Sequence, residues 1–142
     1  MPHAPRPAAE PPPLDGHALK GKRGLQRLLN AARYSADGLA AAWRHEDAFR
    51  QEVALAAVMI PVALLLRLPA VETVLLIGVV VLVLIVELLN SGIEAAVDRD
   101  SYEINPLGKR AKDFGSAAVM LALLLALGTW FAILAHHFLL AA

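Results

Sequence analysis

The sequence predicts an all-α membrane protein, with three transmembrane helices preceded by an amphipathic helix on the membrane surface. Three observations carry this. Of the 142 residues, 58% are hydrophobic and the mean hydropathy is +0.56, too apolar and too short for an ordinary soluble domain. Three apolar runs, at about 53–68, 71–93 and 114–140, follow one another, the first two joined by a short turn and the last two by a polar connection. The segment before them repeats apolar residues at helical spacing, with basic residues opposite.

Residues 1–20 are rich in Pro and Ala (P-R-P-A-A-E-P-P-P). Such a segment cannot bury a core and is read as a disordered arm. No apolar core follows Met1, so it is not read as a signal peptide. Residues 21–142 make up the membrane domain.

Within residues 24–45, Leu25, Leu28, Leu29, Ala32, Ala36, Leu39 and Trp43 form a helical stripe. Arg27, Asn30, Arg33, Asp37 and Arg44 occupy the other side. Basic residues on the polar face suit a helix lying on a membrane, although a soluble helix packed on a partner has the same pattern. The apolar runs that follow favour the membrane. Gly38 is a candidate bend or interruption. The surface element is taken to extend over 24–50, into a polar cluster at 46–52 (E-D-A-F-R-Q-E). There Glu46 and Arg50, one turn apart, are a candidate ion pair.

The first span, from Val53 to about Leu68, contains Pro61, which removes a helical hydrogen bond and predicts a kink. Arg67, Leu68 and Pro69 leave room for only a short turn before the second span, at about 71–93. A polar connection is expected over 98–113 (D-R-D-S-Y-E-I-N-P-L-G-K-R-A-K-D). The third span, about 114–140, is free of Asp, Glu, Lys and Arg, with Trp130 and the pair His136–His137 toward its far end.

Lys and Arg orient the spans. Eight precede the first span (Arg6, Lys20, Lys22, Arg23, Arg27, Arg33, Arg44, Arg50), the first turn has Arg67, and the second connection has Arg99, Lys109, Arg110 and Lys112. The amino terminus and the 98–113 connection are expected in the cytoplasm.

The chemistry is expected around Glu87–Asp98 (E-L-L-N-S-G-I-E-A-A-V-D). At about 100° per residue, Glu87, Asn90, Glu94 and Asp98 fall within about 80° of one another, with Ser91 beside them. For Asp98 a solvated helix end is an equal reading. Glu87 lies roughly 10 Å deeper than Glu94, and ionisable groups at that depth mark functional sites. The orientation brings this face together with Glu46–Glu52 and with Lys112–Asp113 on the cytoplasmic side. Carboxylates, an amide and a lysine suit a metal-bound phosphate compound. Magnesium takes one or two carboxylates and keeps water and phosphate oxygens as its other ligands, and lysine neutralises phosphate. A poorly solvated carboxylate suits a general base.

Other chemistries fit poorly. The chain has no cysteine, hence no disulfide or thiolate chemistry. Its formal net charge is zero, and no nucleic-acid footprint is present. Gly108–Lys109 is not a P-loop, because Glu103 and Arg110 stand where Gly and Ser or Thr belong. His3, His17 and His45 are too scattered for zinc, and His136–His137 is read as interfacial.

The string E-L-L-N-S-G-I-E-A-A-V-D-R, the later G-K-R-A-K-D-F-G-S-A-A-V and the upstream Y-S-x-x-G-L-x-A-A-W-x-x-E-x-A-F-R-Q-E resemble the small prokaryotic membrane diacylglycerol kinases. The resemblance covers roughly Gly24 to Trp130, with three motifs in order and at the right spacing. It implies a homotrimer in the bacterial inner membrane with active sites shared between subunits. It also implies transfer of the ATP γ-phosphate to a diacylglycerol hydroxyl, giving phosphatidic acid, with Mg2+ as cofactor.

Carried over by motif, Glu87 resembles the base, with Asn90 and Lys112 as further catalytic residues. Glu46 and Glu94 resemble the magnesium ligands. Arg27, Tyr34, Glu46, Glu94, Glu103, Asn105, Lys112 and Asp113 resemble ATP-binding residues. Arg50, Glu52, Glu87, Ser116 and Trp130 resemble residues on the lipid side, and Asp98 a structural or electrostatic one. Ala36 and Asp37 depart from the aromatic and basic residues common in the family, and the 1–20 arm has no counterpart. The alternatives are an undecaprenol kinase of the same family and a non-enzymatic transporter or channel subunit. The F-R-Q-E string favours diacylglycerol. The wholly apolar stretch Val74–Val86, broken only by Gly78, argues against an ion path.

Overall fold

The computed structural model describes residues 24–100 and 105–140. Four α-helices follow in order: α1 (Leu25–His45), α2 (Asp47–Leu65), α3 (Ala70–Asp100) and α4 (Pro106–Ala135). A π-helical turn, His136–Leu140, closes the series. No strand occurs among the described residues. The chain divides into two compact units at Ala36–Asp37. The first half of α1 belongs to one; the rest of α1 and the helices that follow belong to the other.

The helix α1 is continuous through Gly38, the expected interruption. Nothing lies within 4 Å of where a Cβ at Gly38 would sit, so no packing constraint singles the residue out. Leu25, Leu28, Leu29, Leu39 and Trp43 are all exposed, leaving the apolar stripe uncovered. α1 ends at His45, five residues short of the expected 50. Glu46 is extended (φ −111°, ψ 111°) and α2 starts at Asp47, so 47–52 form the first turns of the crossing helix rather than the end of the surface helix.

Among the described residues three helices are long and apolar enough to cross a membrane: Asp47–Leu65, Ala70–Arg99 and Pro106–Leu139. Pro61 lies inside α2, which continues past it. The turn after α2 places Arg67 in the left-handed region at φ 53°, and Thr73 then restarts the chain by donating its N–H to Pro69 O at 3.0 Å. α3 has 31 residues, about 46 Å at 1.5 Å per residue, so it outruns a hydrocarbon core of about 30 Å. α4 begins well before Phe114. Asn105 caps it by accepting from Leu107 N at 2.9 Å, and Pro106 occupies the first turn, where its missing N–H costs nothing. Residues 98–100 and 106–113 of the expected connection are therefore helical.

α3 packs against both α2 and α4. Ala56, Ala63, Leu76, Val80 and Trp130 form one buried cluster, and Val83, Ala122 and Ala126 another. Small residues seven apart draw the helices together: Ala56 and Ala63 on α2, then Gly108, Gly115 and Ala122 on α4. The outer faces (Leu75, Leu82, Ile85, Leu89, Leu121, Leu124, Leu125) stay exposed and apolar, as lipid requires.

Candidate active site

Glu87 is the one charged residue that is buried among those described, at 4% exposure. It sits on the face of α3 toward the start of α2. Glu46 and Glu94 interact with it electrostatically, and Glu52 does so too. The carboxylates expected on the cytoplasmic side are thus brought together by two helices: Glu46 and Glu52 by the start of α2, Glu87 and Glu94 by α3.

Asn90 lies between the two α3 carboxylates and donates from Nδ2 to Glu94 Oε1 at 3.3 Å, which orients Glu94. Its Oδ1 is buried with no partner among the described residues, as are Ser91 Oγ and Glu52 Oε2. Buried polar atoms are nearly always hydrogen-bonded, so three orphans in one neighbourhood call for a group from outside the chain. Gly115 on α4 is what lets Asn90 fit. A Cβ there would collide with Asn90 Oδ1 and stand 3.7 Å from its Cα.

A cavity of about 260 Å³ runs among α2, α3 and α4, lined by Leu55, Ala56, Met59, Val80, Val83, Leu123, Ala126 and Leu127, with Glu52 as its one charged lining residue. An apolar slot ending at a carboxylate suits a molecule with an apolar tail and a polar head.

The basic residues are held by specific partners. Lys112 Nζ donates to both oxygens of Asp98, at 3.0 and 3.1 Å. It also interacts electrostatically with Glu94, which ties α4 to the acidic face of α3. Lys109 Nζ donates to Asp113 Oδ2 at 2.7 Å along α4. The expected Glu46–Arg50 ion pair does not form. Arg50 instead pairs with Asp47 and donates to the carbonyls of Trp43 (3.1 Å) and Arg44 (3.4 Å). The reason is local: Glu46 is extended, off the helical face one turn below Arg50, whereas Asp47 is within the first turn.

Other expected site residues have different settings. Trp130 is in the core, its indole N–H donating to Leu76 O at 3.2 Å, not among the carboxylates. Asn105 serves as the α4 cap. Ser116 is exposed on α4 beside Gly115, while Tyr34 and Arg27 are exposed on the first half of α1, in the other compact unit. Glu103 lies outside the described residues. His137, expected at the membrane interface, meets Glu72 Oε2 at 2.5 Å across α3 and the π-helical turn. Sequence reading missed Gly115 and the Asp98–Lys112 pair. The seven-residue spacing of Gly108, Gly115 and Ala122 signals the first, and nothing local signals the second.

Among the described residues no three His, Cys, Asp or Glu side chains converge as a metal-binding group. The donors near Glu87 are hard carboxylate and amide oxygens without Cys or His. Two part-exposed carboxylates, one oriented by Asn90, fit a hard divalent cation that draws its remaining ligands from water and phosphate.

Comparison with known proteins points one way. The family described as prokaryotic diacylglycerol kinase matches residues 33–134. A protein of Pseudomonas aeruginosa named diacylglycerol kinase is 56% identical over 116 residues, 82% of this chain and 94% of that one. One of Escherichia coli K12 with the same name is 50% identical over 115 residues, 81% and 94%. One of Helicobacter pylori 26695, also so named, is 47% identical over 102 residues, 72% and 80%.

Proposed function

The chain belongs to the prokaryotic diacylglycerol kinase family, and from that membership and the chemistry of the site we propose the following account of its activity. It is an ATP-dependent lipid kinase that transfers the γ-phosphate of ATP to the hydroxyl of diacylglycerol, giving phosphatidic acid and ADP. The observation that carries the site is a buried carboxylate, Glu87, beside orphaned polar atoms and an apolar cavity that ends at Glu52.

Glu87 takes the proton of the lipid hydroxyl. The freed oxygen forms a bond to the γ-phosphorus as the bond to the β–γ bridging oxygen breaks. Such a transfer needs alignment and charge neutralisation more than covalent help from the protein. Glu46 and Glu94 would hold Mg2+, which supplies charge neutralisation on the phosphates. Asn90 orients Glu94, and Lys112 and Asp113 attend the nucleotide, with Glu103 and Asn105 as further nucleotide-side residues. Glu52, Arg50 and Ser116 line the path of the lipid head, and the cavity takes part of an acyl chain. Trp130 supports that cavity from the core rather than touching the head group.

The membrane supplies the rest. The three spans keep the enzyme in the layer that holds its substrate. The amino terminus and the acidic end of the bundle face the cytoplasm of a bacterial inner membrane, where ATP is available, and the chain works as a homotrimer. The excess of Lys and Arg before α2 and around 99–112 supports that orientation.

The test is a lipid-kinase assay on the purified protein in mixed micelles, with diacylglycerol and undecaprenol compared side by side and Mg2+ varied. Diacylglycerol should be phosphorylated much the faster. Glu46→Gln and Glu94→Gln should each raise the Mg-ATP requirement by about ten- to a hundredfold, as loss of a charge-assisted contact does. Faster turnover on undecaprenol would move the substrate assignment. A variant with normal activity at low Mg2+ would remove that carboxylate from the metal.

A further inference from the structure

We propose that Asp98 is a positioning residue that holds the Lys112 ammonium ready for the phosphates of the nucleotide; this rests on the assignment of Lys112 above. Asp98 lies in the last turns of α3 and Lys112 in the second turn of α4. The contact spans fourteen positions of sequence and closes on both carboxylate oxygens at 3.0 and 3.1 Å.

A lysine ammonium has three N–H donors on a flexible four-carbon stem. Two directed at Asp98 leave one free. The side chain keeps 37% of its surface exposed, so that donor is reachable from water. The same ammonium interacts with Glu94, the carboxylate assigned to the metal-bound nucleotide. Asp98 therefore holds the cation within electrostatic reach of Glu94. As an anion it gains nothing from touching phosphate itself, so it acts through Lys112.

The neighbouring charges support this. Asp113, next to Lys112 in sequence, is taken by Lys109 at 2.7 Å, which leaves Lys112 to Asp98. A contribution to stability does not account for the pair. Asp98 is 65% exposed along its side chain, and ion pairs this open add little to folding. What the pair removes is the rotational freedom of a long side chain, which the nucleotide would otherwise have to remove on binding.

The experiment is a kinetic double-mutant cycle on the full chain in mixed micelles, with Mg-ATP varied at saturating diacylglycerol. Asp98→Asn should raise KM for Mg-ATP about three- to tenfold, the size expected when a lysine's rotamers are released, with kcat nearly unchanged. In a Lys112→Ala background the same substitution should leave KM where it is. If Asp98→Asn changes KM equally in both backgrounds, or lowers it, Asp98 does not act through Lys112 and the proposal is overturned. If Lys112→Ala by itself leaves KM unchanged, the phosphate role of Lys112 falls and this inference falls with it. Asp98→Glu, which keeps the charge one methylene further out, is read in the same cycle should Asp98→Asn fail to assemble. It should give a smaller rise that disappears with Lys112→Ala, and additivity there overturns the proposal equally.

Discussion

At one end of the helix bundle Trp130 donates to Leu76 O at 3.2 Å, His137 meets Glu72, and Thr73 Oγ1 donates to Leu68 O at 3.3 Å. At the other end Glu52 Oε2, Asn90 Oδ1 and Ser91 Oγ are buried without a partner among the described residues, around a Glu87 that is almost fully buried. At the first end the Trp130 indole N–H is buried, and Glu72, Thr73 and His137 are part-buried. This end pairs its polar groups within the chain and so fastens the helices together. The second leaves its own without a partner among the described residues. Leaving a buried polar atom unpaired costs about 1–3 kcal/mol, and the end that bears this cost is the one to which the proposed chemistry is assigned.

Substitutions at the two ends should therefore fail in different assays. Outside the carboxylates themselves, the largest effect is expected at Gly115. A methyl there would collide with Asn90 Oδ1, push the amide off Glu94 and shift the acidic face. Gly115→Ala should lower turnover by about 10²-fold, the cost of misplacing a reacting arrangement by around 1 Å, with the thermal midpoint changed far less. A normal turnover would show that Asn90 can move without consequence.

The next effect lies at the opposite end. Trp130→Phe keeps an aromatic ring in the core but loses the indole hydrogen bond to Leu76 O and part of the indole's packing, and should cost about 1–3 kcal/mol of stability, read as a lower thermal midpoint in detergent. Turnover per folded enzyme should stay near normal. A selective loss of turnover would bring Trp130 back to the lipid-binding side of the site.

The smallest effect is expected at Arg67, which holds φ 53° without being glycine. Arg67→Gly removes the clash that a side chain meets in the left-handed region and should stabilise the turn by about 0.5–1 kcal/mol, after the added freedom of the unfolded chain is deducted. An unchanged or lower midpoint would mean that the Arg67 side chain makes a compensating contact.

The two ends also differ in how far the sequence reveals them. The crossing helices are legible because apolar runs and helical spacing are properties of consecutive residues. So is the acidic face of α3, since Glu87, Asn90 and Glu94 need only the helical repeat to come together. The start of α4 was within reach too: Asn105–Pro106 is a helix-start signal, hidden by the polar residues around it. The break at Glu46 was not, because no Gly or Pro marks it and the extended backbone there interrupts an otherwise helical sequence. Pairings such as His137 with Glu72, or Lys112 with Asp98, depend on how α3 and α4 register against each other. That register is set by Gly108, Gly115 and Ala122 through packing, and no local pattern names the partners.

The most direct test sets one carboxylate from each end against the other: Glu87→Gln and Glu72→Gln, each measured for turnover on diacylglycerol with Mg-ATP, for ATP binding and for thermal midpoint. General-base catalysis is worth about 10² to 10⁴ in rate. Glu87→Gln should lose turnover by about that factor while it assembles and binds ATP. Glu72→Gln should keep its turnover and unfold at a lower temperature. Normal turnover in Glu87→Gln, or an equal loss of turnover in Glu72→Gln, would contradict the division of the bundle into a fastening end and a reacting end.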